Sequence, residues 1–236
     1  MNHSGSLLRR SLAVLFPMLL TPILLAQGIP DSVLTGAANG ANAIAGTNVR
    51  IKTAPGGDPN KVLVTTNGAT QGRIAATAVE PGGAYAYGIS IDLSRLKAMF
   101  PSIMDDPELL QLVLTYILSH EFDHVPGGSG GQGGNGHTGG SSCVHLSDYV
   151  DDCARLCADV AAILADPNMD AAKKCKRVGA LCKLYEHTRG AANSPANVAA
   201  AANCSNVTVT NGEIIGPCAN CPSGECPVHG TDFGGR

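Results

Sequence analysis

Pro107-Glu108-Leu109-Leu110-Gln111-Leu112-Val113-Leu114-Thr115-Tyr116-Ile117-Leu118-Ser119-His120-Glu121-Phe122-Asp123-His124 is the stretch that decides how this chain reads. Asp105 and Asp106 stand before it as capping candidates. Pro107 suits a first helical turn, and Glu108 sets negative charge at the positive end of the helix dipole. From Leu109 to Phe122 nearly every residue is apolar, and a helix apolar on most of its faces is a buried one. The last turn breaks that pattern with two His, a Glu and an Asp. Burying these groups without partners is costly. The bland reading is a polar tail that meets solvent where the helix ends.

His120-Glu121-Phe122-Asp123-His124 is an HExxH. Residues i and i+4 share a helix face, so both imidazoles can meet one ion. Glu121 neighbours the first ligand and is the candidate general base. Zn²⁺ is the metal this donor pair suggests, and a catalytic zinc needs a third protein ligand and an open position. Three candidates follow at helical spacing: His145, Asp148 and Asp152 lie on one face of the next expected helix. His145 is the first choice, because neutral imidazole is the commonest ligand; Asp148 and Asp152 would then orient the ligand rings. Asp148 as ligand with Asp152 behind it is the rival. His137 sits in a glycine tract, where ordering a loop to bind costs entropy.

The motif resembles that of the zincin-type HExxH zinc metallopeptidases. The resemblance is specific over the five motif residues and extends in element order over about residues 84–165. It implies a catalytic domain with a sheet upstream of the motif helix. It also implies an edge strand along the cleft, here Tyr85 to Leu93, to which a peptide could add as a further strand. The metzincin continuation is absent: Gly127 falls at the expected glycine, but Gly130 stands where a third His would be. The acidic pair that gluzincins carry on the next helix would correspond to Asp148 and Asp152.

Upstream, short β-like runs at 48–53, 61–66, 73–79 and 84–93 are separated by Pro-Gly-Gly and Asn-Gly turns, which reads as a small, mostly antiparallel sheet. Residues 27–47 are rich in Ala, Gly and Asn and read as a flexible leader. Downstream, nine of the fourteen residues from Gly127 to Gly140 are Gly, a composition that cannot pack a core and reads as a surface loop or lid. Two helices are expected at about 146–165 and 170–187, with Gly190 just past the second. Tyr149 is a candidate hydrogen-bond donor to an oxyanion if it faces the metal. Tyr116 reads as core or rim. Asp151, Asp159 and the Lys173, Lys174, Lys176, Arg177 patch read as solvated faces.

Nine cysteines suit an exported chain with a disulfide framework, and the odd number leaves at least one outside it. In a helical hairpin Cys157 and Cys175 could bridge, as could Cys153 and Cys182; spacing does not fix the pairing. Cys218, Cys221, Cys226 and His229 have the look of a zinc knuckle, although an exported protein favours disulfides there, with Cys204 joining the cluster. Arg9 and Arg10 followed by the apolar run Ser11 to Leu25 read as a signal peptide ending at Ala26, with a retained anchor as the alternative. The run is shorter than the roughly 20 residues a spanning helix needs. Net charge is −3 and no basic block stands out, so nucleic acid is not an expected partner.

The expected organisation is therefore α+β: signal 1–26, leader 27–47, zincin-like domain 48–200 and Cys-rich tail 201–236. The expected function is exported, zinc-dependent hydrolysis of a peptide or protein substrate. A non-catalytic, disulfide-stabilised zinc-binding or structural module is the alternative.

Overall fold

The computed structural model describes residues 28–53, 61–66, 70, 72–79, 87–126, 136 and 139–221. The signal segment, His137, Cys226, His229 and most of the glycine tract lie outside these residues. The chain is α+β, with a four-stranded sheet and six α-helices among the described residues.

The motif helix, α3 (Pro107–Asp123), forms as its sequence dictates. The Asp106 side chain accepts from the Leu109 amide, and Pro107 occupies the first turn. Leu110, Val113, Leu114, Leu118 and Phe122 are fully or almost fully buried. His124 caps the helix with φ −74° and ψ −17°, still right-handed helical, so the i, i+4 relation of the two motif histidines holds to the last residue.

The sheet has the order β1–β2–β4–β3, from Ile51–Lys52, Val62–Thr65, Ala75–Val79 and Tyr87–Ile91 as β1 to β4 in chain order. β1, β2 and β4 run parallel, and β3 pairs antiparallel to β4. The sheet is thus mixed rather than mostly antiparallel. The expected edge strand proves internal: β4 lies between β2 and β3, and β3 forms the edge. Alternation shows which residues of a strand share a face, but it carries no information on which strand lies beside which. Opposite pairs Thr77–Ile89 and Ala75–Ile91 place these residues in register across the last two strands. α2 (Leu93–Met99), capped by Asp92, leads from β4 towards α3.

Residues 27–47, read as loose, carry α1 (Asp31–Ala45). Its buried face is Val33, Leu34, Ala37, Ala38 and Ala41. Gly36 and Gly40 let it approach α3 closely: a Cβ at Gly36 would stand 2.6 Å from Gln111 Oε1, and one at Gly40 would stand 2.9 Å from Thr115 Cγ2. Low side-chain volume hid a helix whose packing depends on small side chains.

Beyond the glycine tract, α4 (Cys143–Ala165) and α5 (Ala171–Ala192) pack as a hairpin. α5 runs past Gly190. The short α6 (Pro195–Ala201) follows. The basic residues at the start of α5 lie on a solvent-facing side and carry ion pairs there. Lys173 pairs with Glu108 at 2.6 Å, Arg177 with Glu108 at 3.5 Å and Lys176 with Asp106 at 3.2 Å, so they join the starts of α5 and α3. Exposed pairs of this kind contribute little individually.

Neither intra-hairpin bridge forms. Cys157 pairs with Cys218 and Cys182 with Cys221, so both helices are fastened to the C-terminal segment instead of to each other. Cys204 joins Cys143 at the start of α4, not the tail cluster. With Cys218 and Cys221 in these disulfides, the knuckle reading loses two of its four ligands. Cys153 is a free, buried thiol, and burial pushes its pKa up to about 12. The segment before Cys218 docks on the end of α5. Arg189 holds both oxygens of Glu213 at 2.7 and 3.0 Å, and Asn193 exchanges hydrogen bonds with the Ile214 and Ile215 backbone. No described helix is long and apolar enough to cross a membrane.

Candidate metal centre

Two helices meet where α3 ends. His120 and His124 project from its last turn, and His145 from the first turn of α4. One ligand atom from each of the three lies within 4.8 Å of the other two, so the group could hold a metal ion. The rings form a near-equilateral triangle, with centroids 5.1, 5.3 and 5.2 Å apart. Asp148 is not part of this group. Of the two alternatives for the third position, the structure brings His145 to the motif.

The hydrogen bonds fix how the rings present themselves. His120 Nδ1 lies 2.8 Å from Asp152 Oδ2, and a carboxylate must accept there, so Nδ1 carries the proton. His145 Nδ1 lies 2.6 Å from the Gly140 carbonyl, so it too donates. In the neutral tautomers both Nε2 atoms then carry lone pairs, and they face each other at 3.4 Å. Two lone pairs in that position call for a cation between them, either a proton or a metal. This donor set fits a borderline-soft divalent ion with imidazole ligands. Burial opposes a charged His120, but the Asp152 hydrogen bond and the charges of Asp152, Glu121 and Asp148 outweigh it and raise its pKa to about 9. Asp148 and Asp123 are each pushed up to about 6, chiefly by burial; acidic neighbours add to this, while the His120 charge opposes it.

Local backbone chemistry places His145. The Ser142 hydroxyl caps α4 by accepting from the His145 amide at 3.3 Å. Gly140, at φ +95°, turns the chain so that its carbonyl meets the ring, a conformation that favours glycine. The neighbouring Gly139 passes close over the site. A Cβ there would lie 3.8 Å from His124 Cε1 and 3.9 Å from His145 Cε1. Asp152 also meets Arg155 Nη1 at 3.5 Å, which leaves its other oxygen for His120.

Glu121 is buried, with 6% of its surface exposed, and its Oε2 accepts from the Thr77 hydroxyl at 2.6 Å. Thr77 belongs to the edge strand β3, so the sheet holds this carboxylate in place. Tyr149 lies against the imidazoles, with centroids 5.2 Å from His120 and 4.4 Å from His145. Tyr116 donates its hydroxyl to Asp159, which is half-buried. A cavity of about 250 Å³ opens beside His120 and Glu121, lined also by Arg73, Ile74, Tyr149 and Leu184.

The sequence reading missed Thr77, Gly139 and Gly140. A lone threonine in a strand carries no signal of its partner, and a glycine inside a glycine tract carries none of its particular φ. No protein-family model matches the chain, and neither curated proteins nor solved structures show significant similarity to it.

Proposed function

We propose that this chain is an exported zinc-dependent hydrolase that cleaves peptide bonds. The observation that carries the reading is the His120, His124 and His145 triangle with the buried Glu121 carboxylate alongside it. When bound, Zn²⁺ would act as a Lewis acid on water and on the scissile carbonyl. The chain's own residues would do the rest. His120, His124 and His145 would hold the ion through three nitrogens and leave one side open. Asp152 would keep His120 in the tautomer that presents Nε2. Glu121 would take the proton from the attacking water and return it to the leaving amine. The Thr77 hydroxyl would hold Glu121 in one orientation, with Oε2 engaged and Oε1 available. The Tyr149 ring would brace the two imidazoles. The disulfides agree with an oxidising compartment.

The test is metal content and turnover of a peptide mixture by the full-length protein, wild type beside Glu121→Gln and His145→Ala. Expected are one zinc per chain in wild type and in Glu121→Gln, with turnover in Glu121→Gln lower by about 10²- to 10⁴-fold. His145→Ala should lose both metal and turnover. Zinc retained in every variant, with no turnover in wild type, would replace the enzyme reading by that of a zinc-holding structural module.

A further inference from the structure

We propose that the cavity beside the metal centre takes the C-terminal end of a peptide: an apolar last side chain in the cavity, and its free carboxylate on Arg73. The proposal takes its site from the hydrolase reading, but it concerns what is bound and is tested apart from what is cut.

Three observations carry it. The first is the guanidinium itself. Among the described residues Arg73 makes no ion pair or side-chain hydrogen bond, whereas Arg95, Arg155, Arg177 and Arg189 each hold a carboxylate. An arginine fork is built for bidentate carboxylate recognition. This one lines the cavity, on an exposed turn at the start of β3, and is left open to an incoming group.

The second is position. The point a Cβ at Gly139 would occupy lies 3.4 Å from Arg73 Nη1, 3.8 Å from His124 Cε1 and 3.9 Å from His145 Cε1. The guanidinium therefore stands across one glycine from two of the three imidazoles. A carboxylate held there would lie beside the group of imidazoles.

The third is the cavity. Its floor is Ile74, Ala75, Ile117, Leu156 and Leu184. Its volume, about 250 Å³, is below the roughly 300–1,000 Å³ of sites that enclose drug-sized ligands. It holds one large apolar side chain, not a continuing segment of peptide. Away from the metal centre, Arg73 is the one Arg or Lys among its lining residues, whereas Glu121 and Asp152 would repel a carboxylate.

The experiment uses 4-methylpentanoate, the acid that matches a leucine end, and its neutral amide as probes. Binding to zinc-loaded full-length protein is measured by calorimetry for wild type, Arg73→Gln and Arg73→Lys. The proposal expects the acid to bind at least tenfold more tightly than the amide. Arg73→Gln should bring the two to parity, and Arg73→Lys should keep part of the preference. Equal binding of acid and amide in wild type would overturn it, as would no binding of either. A preference that survives Arg73→Gln would also overturn it, because the acid would then be bound by the metal. Acid preference without any peptide turnover would keep this proposal and remove the hydrolase reading. Turnover of amidated and free-acid peptides at equal rates, with no acid preference, would do the reverse.

Discussion

The two flanks of α3 are held in different ways. On one side α1 packs by shape: Gly36 and Gly40 bring two helices together with no covalent link between them. On the other, α4, α5 and the C-terminal segment are fastened by Cys143–Cys204, Cys157–Cys218 and Cys182–Cys221. The candidate metal centre lies on the seam, with two ligands from α3 and one from the disulfide-fastened half. The contrast teaches where precision is needed. The α1 side supplies bulk apolar burial, which tolerates small adjustments. The α4 side must deliver one imidazole nitrogen to a fixed point, and there the chain is tied down.

The largest effect should come from untying that half. Replacing Cys157 and Cys218 together with Ala opens a loop with a sequence separation of 61, worth roughly 4 kcal/mol by loop entropy. Denaturant unfolding should show that loss; a change below about 1 kcal/mol would mean the noncovalent docking of Glu213 to Gly216 on α5 already suffices. The next effect should appear in metal affinity alone. Asp152→Asn keeps the shape but weakens the grip on His120 Nδ1, and should cost about 10- to 100-fold in zinc affinity with little change in melting temperature. An unchanged affinity would leave Asp152 a structural partner of Arg155. The smallest effect belongs to the α1 side. The clash at Gly36 is with the exposed tip of Gln111, which can swing aside, so Gly36→Ala should stabilise by up to about 1 kcal/mol through helix propensity. Gly40→Ala meets Thr115, whose hydroxyl is held on the Gln111 carbonyl at 2.8 Å, and should gain less or lose. Equal gains at both sites would show that the helices separate freely.

The motif helix and His145 were legible because they obey short-range rules. Spacing of four residues sets a helix face, and a second helix with its own polar stripe offers the next ligand. Asp152 was legible for the same reason, lying seven residues beyond His145 on that stripe. What failed depends on long-range pairing. The strand at 87–91 lies in the stretch that the zincin resemblance implied as an edge, yet it pairs on both sides. Cys157 and Cys175 stand near the hairpin turn, yet Cys157 finds its partner 61 residues on. Thr77 and Glu121 are 44 residues apart in sequence, and nothing local to either announces the other. α1 escaped notice because its buried face is mostly alanine, a pattern weak in hydrophobicity and strong in close packing.

The Cys143–Cys204 bridge sits two residues before His145, at the head of the helix that presents it. This bears on the timing of maturation. We expect a newly made chain with its thiols still reduced to offer the two imidazoles of α3 without a fixed third, while its free thiols compete for the same ion. Oxidation would then come first and metal loading second. Zinc uptake by the reduced and oxidised protein, followed with a competing chelator, checks this order; equal affinity in the two states would break it.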